Sequence, residues 1–174
     1  MVDWPSILRE HGPLVWRTAY RLLNHDADAH DCFQRTFVAA VALAEKESVS
    51  HWPALLKRLA TARGLEALRT RLRERNRREP LPDDLADPSL DSPSFTAGHR
   101  ELEGRLRDAL AEIDPNQAEV FCLVCLEGLS NREAAAALGI RADHLGVMLH
   151  RARQALRGKL AEFAPITPEG KDPS

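Results

Sequence analysis

The stretch LLKRLATARGLEALRTRLRERNRR, from Leu55 to Arg78, gives the first indication of the fold class. Apolar residues recur in it at steps of three and four, which is the spacing of one face of an α-helix. These positions are Leu55, Leu59, Ala62, Leu65, Leu68 and Leu72. Residues 57–79 also contain nine Lys or Arg and three Glu, a net charge of +6. The stretch therefore predicts a long helix whose remaining faces are strongly basic.

Helical spacing also dominates the residues before this helix. Pro5 and Pro13 suit the first turns of helices, where the missing N–H of proline is not needed. We predict a turn at Asn24–Asp26, with the Asp26 side chain capping a second helix. The segment Ser48–Pro53 interrupts that helix before the basic helix begins.

The residues after the basic helix predict several short helices with defined ends. Asp114 is expected to cap a helix that has Pro115 at its first position. The run Ser130–Glu133 fits a capping box, and Gly139 predicts a turn between a short helix and a final long one. A capped short helix, a glycine turn and a longer helix are typical of a helix-turn-helix. Because no alternating strand pattern appears anywhere, the sequence predicts an all-α protein.

Proline and charge divide the chain into two parts. Residues 80–98 contain four Pro, four Asp and no Lys or Arg, a composition that favours a flexible acidic linker over a helix. We therefore predict two small helical domains, over residues 1–79 and 99–163, the second containing the helix-turn-helix. Residues 164–174 are expected to form a disordered tail.

The composition excludes several classes of protein. The 174 residues are 44% hydrophobic and 29% charged, which suits a folded protein. The longest apolar run, Phe37–Ala44, is far shorter than the roughly 20 residues of a membrane helix. No secretory signal is visible, so we expect a cytoplasmic location. The overall net charge of -2 conceals the basic helix and does not exclude nucleic acid.

The cysteines and histidines give little support for an enzyme. Cys122 and Cys125 have C-x-x-C spacing, which can indicate a redox pair or half of a metal site. They lie in the apolar run Val120–Leu126, with no second pair at zinc spacing, so core packing is the favoured interpretation. A thiol-based sensor is the alternative. No phosphate-binding loop or nucleophile motif is present, and we expect no catalysis, no metal and no cofactor.

Several motifs in the same order resemble those of bacterial RNA polymerase sigma factors of the extracytoplasmic-function (ECF) group. The resemblance covers about residues 5–162. In the second half it rests on the motifs at residues 113–115, 120–123, 126–130, 138–140 and 150–153, which resemble a promoter-binding domain. In the first half it rests on residues 19–23 and 28–37, similar to polymerase-binding helices, and on Leu55–Arg78, similar to a promoter-melting helix.

The resemblance implies two sets of site residues. The residues facing core RNA polymerase would be Asp28, Asp31, Gln34 and Arg35. The residues contacting promoter DNA would be Lys57, Arg58, Arg63, Arg69, Arg73, Arg141, His144, His150, Arg151 and Arg153. The basic helix would serve the minus-ten element, and the last helix would serve the minus-thirty-five element. Trp52 would either stack on an unpaired base or pack internally.

Two departures from the family pattern qualify this interpretation. Ala62 stands where the family often has Asn, which alters the minus-ten surface. The run His144–Met148 lacks the basic residues common in the family, and Gly146 costs about 1 kcal/mol of helix propensity relative to Ala. The alternative is a degenerate relative that binds polymerase or a regulator without recognising promoters. The expected partners are core polymerase, promoter DNA and an anti-sigma factor or other regulator.

Overall fold

A computed structural model describes residues 1–78 and 97–161, and these residues form only helices and short connections. The helices are α1 Trp4–Leu23, α2 Asp26–Ala44, α3 Trp52–Arg77, α4 Ala97–Glu112, α5 Pro115–Phe121, α6 Asn131–Leu138 and α7 Ala142–Ala161. A π-helical turn, Cys122–Leu126, continues α5. The predicted all-α class is confirmed.

The helix ends in the second half follow the predicted caps. Asp114 Oδ1 accepts hydrogen bonds from the amides of Asn116 and Gln117 at 3.0 and 3.1 Å. Ser130 Oγ accepts from the Glu133 amide at 3.1 Å, and Glu133 Oε2 accepts from the Ser130 amide at 2.8 Å. The hydrogen bond from the Ser130 amide holds the pKa of the Glu133 carboxyl below its ordinary value. Gly139, at φ 65°, ends α6 in the left-handed conformation.

Two predictions for the first half are wrong. Pro13 lies inside α1 and not in a first turn. Ile7 and Val15, on either side of it, belong to one buried cluster with α2 and α3, and this packing outweighs the missing hydrogen bond. The N-cap of α2 is His25, whose Nδ1 accepts from the Asp28 amide at 3.3 Å, so that Asp26 is the first helical residue.

The buried residues form three clusters, of which one joins the two halves of the chain. The first lies among α1, α2 and α3, and the second among α5, α6, α7 and the π-helical turn. The third combines residues from both halves: Ala19, Leu22, Leu23, Ala29, Cys32, Leu65 and Leu68 with Ala109, Leu110, Ile113, Ala118, Cys122 and Leu156. We call this third set the shared cluster. The N-terminal and C-terminal helices are thus packed directly against each other.

The predicted linker and tail lie almost wholly outside the described residues. The helix α4 begins at Ala97, two residues before the expected start of the second domain. The boundaries at 79, 98 and 163 stay predictions. No helix in the described ranges is both long and apolar enough to cross a membrane.

Candidate polymerase and nucleic-acid interfaces

The four residues expected to face polymerase lie along the exposed side of α2. Gln34 is exposed, and the side chain of Asp31 is 66% exposed and 3.8 Å from the guanidinium of Arg35. Arg35 also lies 3.5 Å from Glu66 of α3. Asp28 is less available, because its carboxylate pairs with Arg71 of α3. The helix therefore offers Asp31, Gln34 and Arg35 as a charged and polar surface.

An apolar surface that sequence reasoning missed extends this side of α2. Val38 is 70% exposed, and Val41 lies beside Leu8 of α1 in a groove lined also by Trp4, Pro5 and Phe37. The available signal was the spacing, because Val38 follows Gln34 by four residues and Asp31 by seven, which is one helix face.

Some of the basic residues of α3 that were expected to contact DNA lie against the C-terminal half instead. Lys57 Nζ donates to the carbonyl oxygen of Glu127 at 2.8 Å, across the contact between the halves. Arg58 and Arg69 interact electrostatically with Glu119 of α5, whose pKa is raised by burial and partly lowered by these two cations. The Nε and Nη2 atoms of Arg69 are buried, with no hydrogen-bond partner among the described residues. Three of the five predicted α3 contacts to DNA are therefore covered by the C-terminal half.

The other two predicted α3 contacts lie away from the C-terminal half. Arg63 pairs with Glu66 of its own helix at 3.1 Å, and Arg73 donates to Thr70 Oγ1 at 3.3 Å. Both lie at the surface, Arg73 more fully than Arg63. Of the five predicted contacts on α3, these are the two that DNA can reach in this arrangement.

The last helix presents a polar face opposite its buried one. Its exposed residues include His144, His150, Arg151 and Arg153, while Arg141 precedes it and pairs with Asp143 at 3.1 Å. Leu145 and Leu149 pack into the second cluster and Leu156 into the shared cluster, and Ala152 is also buried. The five predicted contacts for the minus-thirty-five element are thus all accessible. Between them, Val147 is 49% exposed and Gly146 carries no side chain.

Glu127 joins the two halves and was not singled out from sequence. Its side chain is only 7% exposed and accepts from Thr18 Oγ1 at 2.8 Å and from Arg21 Nη1 at 3.1 Å, both on α1. Arg21 also donates to the carbonyl of Leu126. With the Lys57 bond to its own carbonyl, Glu127 contacts α1 and α3 at once. We call this set the Glu127 contact. Because the partners lie 70 to 109 positions away in sequence, no local pattern indicates it.

The burial and contacts of the three cysteines and of Trp52 test whether these residues pack in the core. Cys32 and Cys122 are buried, but Cys125 is exposed and accepts a hydrogen bond from Arg153 at 3.7 Å, so its predicted core packing is wrong. The reason is the π-helical turn, which has more residues per turn than an α-helix, so positions three apart no longer share one face. The Trp52 ring packs edge-on against the Trp4 ring, with 5.3 Å between the ring centroids.

Within residues 1–78 and 97–161, no group of three or more His, Cys, Asp or Glu could hold a metal ion.

Two family descriptions match the two halves of the chain. The description "Sigma-70 region 2" matches residues 7–77, and "Sigma-70, region 4" matches residues 103–156. The class of protein is therefore a sigma factor with one domain for each region.

Curated relatives extend this match across the residues between the two regions. The ECF RNA polymerase sigma factor SigE of Mycolicibacterium smegmatis is 31% identical over 169 residues, which cover 96% of this chain and 65% of that protein. The RNA polymerase sigma-E factor of Streptomyces avermitilis is 30% identical over 164 residues, covering 92% of this chain and 86% of that protein. The chain belongs to the RNA polymerase sigma factors, in the ECF group.

Two solved structures share the fold. The sigma factor RpoE, in complex with the anti-sigma factor NepR from Bartonella quintana, has 23% identity and a TM-score of 0.56, over 91% of this chain and 97% of that one. CnrH, in complex with the cytosolic domain of CnrY, has 24% identity and a TM-score of 0.57, over 92% of this chain and 88% of that one. The resemblance at this level of identity concerns the helical architecture.

Proposed function

We propose that this sigma factor binds core RNA polymerase through the exposed side of α2 and directs it to promoters through α3 and α7. The first domain, residues 1–79, would hold the minus-ten element, and the second, residues 99–163, the minus-thirty-five element. Sigma factors are transcription initiation factors, so the chain contributes binding, and the chemistry of transcription belongs to the polymerase. The protein would act in the cytoplasm, where it meets polymerase and DNA.

The polymerase contact is supported by the exposure of Asp31, Gln34 and Arg35 on one helix face. The apolar residue Val38 continues this face by one helical turn. An interface needs apolar area at its centre and polar groups around it, and this combination supplies both.

The promoter contact is supported by the accessible cations of α3, among them Arg63 and Arg73, and by the polar face of α7. Each Lys or Arg that neutralises a phosphate releases a condensed counterion, so several together give a strong, salt-sensitive affinity. The exposed face of α7 adds Arg151, Arg153 and two histidines on the helix that enters the major groove in helix-turn-helix proteins.

Run-off transcription with purified core polymerase on a genomic promoter library tests this function. We expect promoter-specific transcripts. Asp31→Ala combined with Gln34→Ala should reduce core binding and transcription together, by about tenfold. Arg63→Ala and Arg73→Ala should leave core binding intact, weaken promoter binding, and each reduce the salt dependence of log Kd by about 1. Glu101→Ala, which removes an exposed carboxylate paired within α4, is the control and should change neither.

The same experiment separates a second candidate function. Gly146 and the exposed Val147 lie in the centre of the α7 face, where a promoter-recognising helix would be expected to be polar or basic. If the chain binds core polymerase and yields no promoter-specific transcript, the initiation function is wrong, and the chain is an interaction protein. We also propose that an anti-sigma factor or another regulator covers these surfaces, by analogy with the complexes named for RpoE and CnrH.

A further inference from the structure

Val147 is an apolar side chain on a face of α7 that is otherwise polar or charged. It is 49% exposed and belongs to none of the three buried clusters of the described residues. Its neighbours at steps of three and four along the same face are all exposed, and they are Asp143, His144, His150 and Arg151. Packing within the described residues therefore does not account for a valine at this position.

The position of Val147 along α7 is one from which a helix-turn-helix contacts bases. It is the sixth residue of the helix Ala142–Ala161 and so lies in the first two turns. The recognition helix of this motif lies in the major groove with its N-terminal residues against the base edges. Gly146 beside it has no side chain, and a Cβ added there would meet nothing within 4 Å. The helix surface at Val147 is therefore open to the close approach of a base pair.

An apolar side chain in the major groove can recognise thymine and no other base. Thymine carries a 5-methyl group there, whereas guanine, adenine and cytosine are distinguished by hydrogen-bond donors and acceptors. The Val147 side chain forms no hydrogen bonds, so it cannot satisfy those groups. Its methyl groups can instead pack on the thymine methyl group, which removes apolar surface of both from water. The base that complements Val147 is therefore thymine.

The charges around Val147 favour DNA over a protein as its partner. Arg151 and Arg153 are exposed further along α7, and Arg141 precedes the helix. Asp143, the one carboxylate in the sequence of residues 141–153, is already paired with Arg141 at 3.1 Å. Arginine side chains on both sides of an apolar centre suit the phosphates that border a groove. The face thus complements a duplex with a thymine at its centre.

We propose that Val147 is a specificity-determining residue for the minus-thirty-five element, where its methyl groups pack on the 5-methyl group of a thymine in the major groove. This inference rests on the proposed function, because it concerns the DNA contact assigned to α7. The first two turns of α7 select a T·A pair through this apolar contact, in place of the basic residues that they lack. Arg151 and Arg153 contact the phosphates beside it.

Selection from a random-sequence duplex library with the purified full chain tests the preference for thymine. The native chain should enrich thymine about fourfold at one position of the recovered sequences, which is the effect of one buried methyl group. Val147→Ala should abolish the enrichment at that position and leave preferences elsewhere unchanged. Leu102→Ala is the control, because it removes another exposed apolar side chain, 53% exposed on α4, and should change no preference.

Replacing thymine by uracil removes the methyl group and keeps the hydrogen-bonding groups of the base. Each thymine of the selected sequence is replaced in turn, and binding is followed by fluorescence anisotropy at fixed salt. At one position uracil should weaken binding of the native chain about fourfold, and it should have no effect on Val147→Ala. Arg151→Ala, which removes a phosphate contact, should weaken binding to the thymine and uracil duplexes by the same factor.

Two results would overturn this role of Val147. The first is a native chain that enriches no thymine, or a uracil effect of equal size in the native chain and in Val147→Ala. The second is a loss of core polymerase binding in Val147→Ala without a change in DNA preference, because the valine would then contact protein.

The proposed function is tested apart from this inference. Promoter-specific transcripts from a chain whose Val147→Ala variant keeps the thymine preference leave the function intact and remove the specificity role. Absence of such transcripts contradicts the function, and the library selection still decides the role of Val147, since it uses no polymerase.

Discussion

Cys122 and Cys125 lie three positions apart and have opposite surroundings. Cys122 belongs to the shared cluster, and burial raises the pKa of its thiol far above the ordinary value. Cys125 is exposed beside Arg153. Cys32 is buried against α3, where its Sγ donates to the Ala60 carbonyl at 3.5 Å and burial raises its pKa to about 11. The reactive thiolate is thus suppressed at two of the three cysteines.

Thiol labelling of the native protein should therefore separate the cysteines. At pH 8 we expect Cys125 to react first, with Cys32 and Cys122 at least about a hundredfold slower, because they must await opening of the fold. Cys125→Ser should remove the fast phase.

Between pH 9 and 11 the unfolded Cys32 thiol loses its proton while the folded thiol retains it, so the free energy of unfolding falls as the pH rises through this window. Formation of a disulfide between Cys122 and Cys125 in the native fold would support the sensor alternative.

At the scale of helices, two glycines in helix interiors have different surroundings. A Cβ added at Gly146 of α7 would meet nothing within 4 Å, whereas one added at Gly64 of α3 would lie 2.7 Å from Cδ1 of Leu22. Gly64 is therefore a point of close approach between α3 and α1. The packing around Gly146, by contrast, leaves room for a side chain.

Gly146→Ala should stabilise the protein by about 1 kcal/mol, because alanine has the higher helix propensity and no neighbour must move. Gly64→Ala gains the same propensity but must displace the buried Leu22, and we expect it to lower stability by about 1 kcal/mol. Urea unfolding followed by circular dichroism measures both. Equal stabilisation by the two substitutions would contradict the close packing of α1 on α3.

Local chemistry determined which helix features were predictable. The helix ends at Asp114, Ser130, Glu133 and Gly139 depend on hydrogen bonds between residues no more than four positions apart. The local sequence pattern was therefore enough to predict them. Pro13 was misjudged because its cost is offset by tertiary packing, which no local window contains. At the candidate site, the residues of α2 came from the family resemblance, while the covering of Lys57 and Arg69 depends on contacts with residues far along the chain.

At the scale of the whole molecule, the shared cluster couples the two halves. Leu110 of α4, only 1% exposed, belongs to the same cluster as Leu22 and Leu65. All three tryptophans, Trp4, Trp16 and Trp52, lie in the N-terminal half. Tryptophan fluorescence therefore comes from that half alone, whereas circular dichroism reports on the helices of both halves.

The two signals should give one coincident transition in urea. Leu110→Ala lies in the C-terminal half, but it leaves a cavity in the shared cluster. It should therefore lower the free energy of unfolding measured by tryptophan fluorescence by about 2–5 kcal/mol. Leu145→Ala is the matched substitution in the second cluster, whose members all lie in the C-terminal half. A tryptophan transition that ignores Leu110→Ala would mean that the halves unfold independently.

The contact between the halves joins parts of a single polypeptide, which changes the affinity it needs. Tethered partners experience each other at an effective concentration on the order of millimolar. A contact too weak to hold two separate proteins together in dilute solution therefore suffices to keep this chain closed. The association of the two halves is consequently independent of the concentration of the protein.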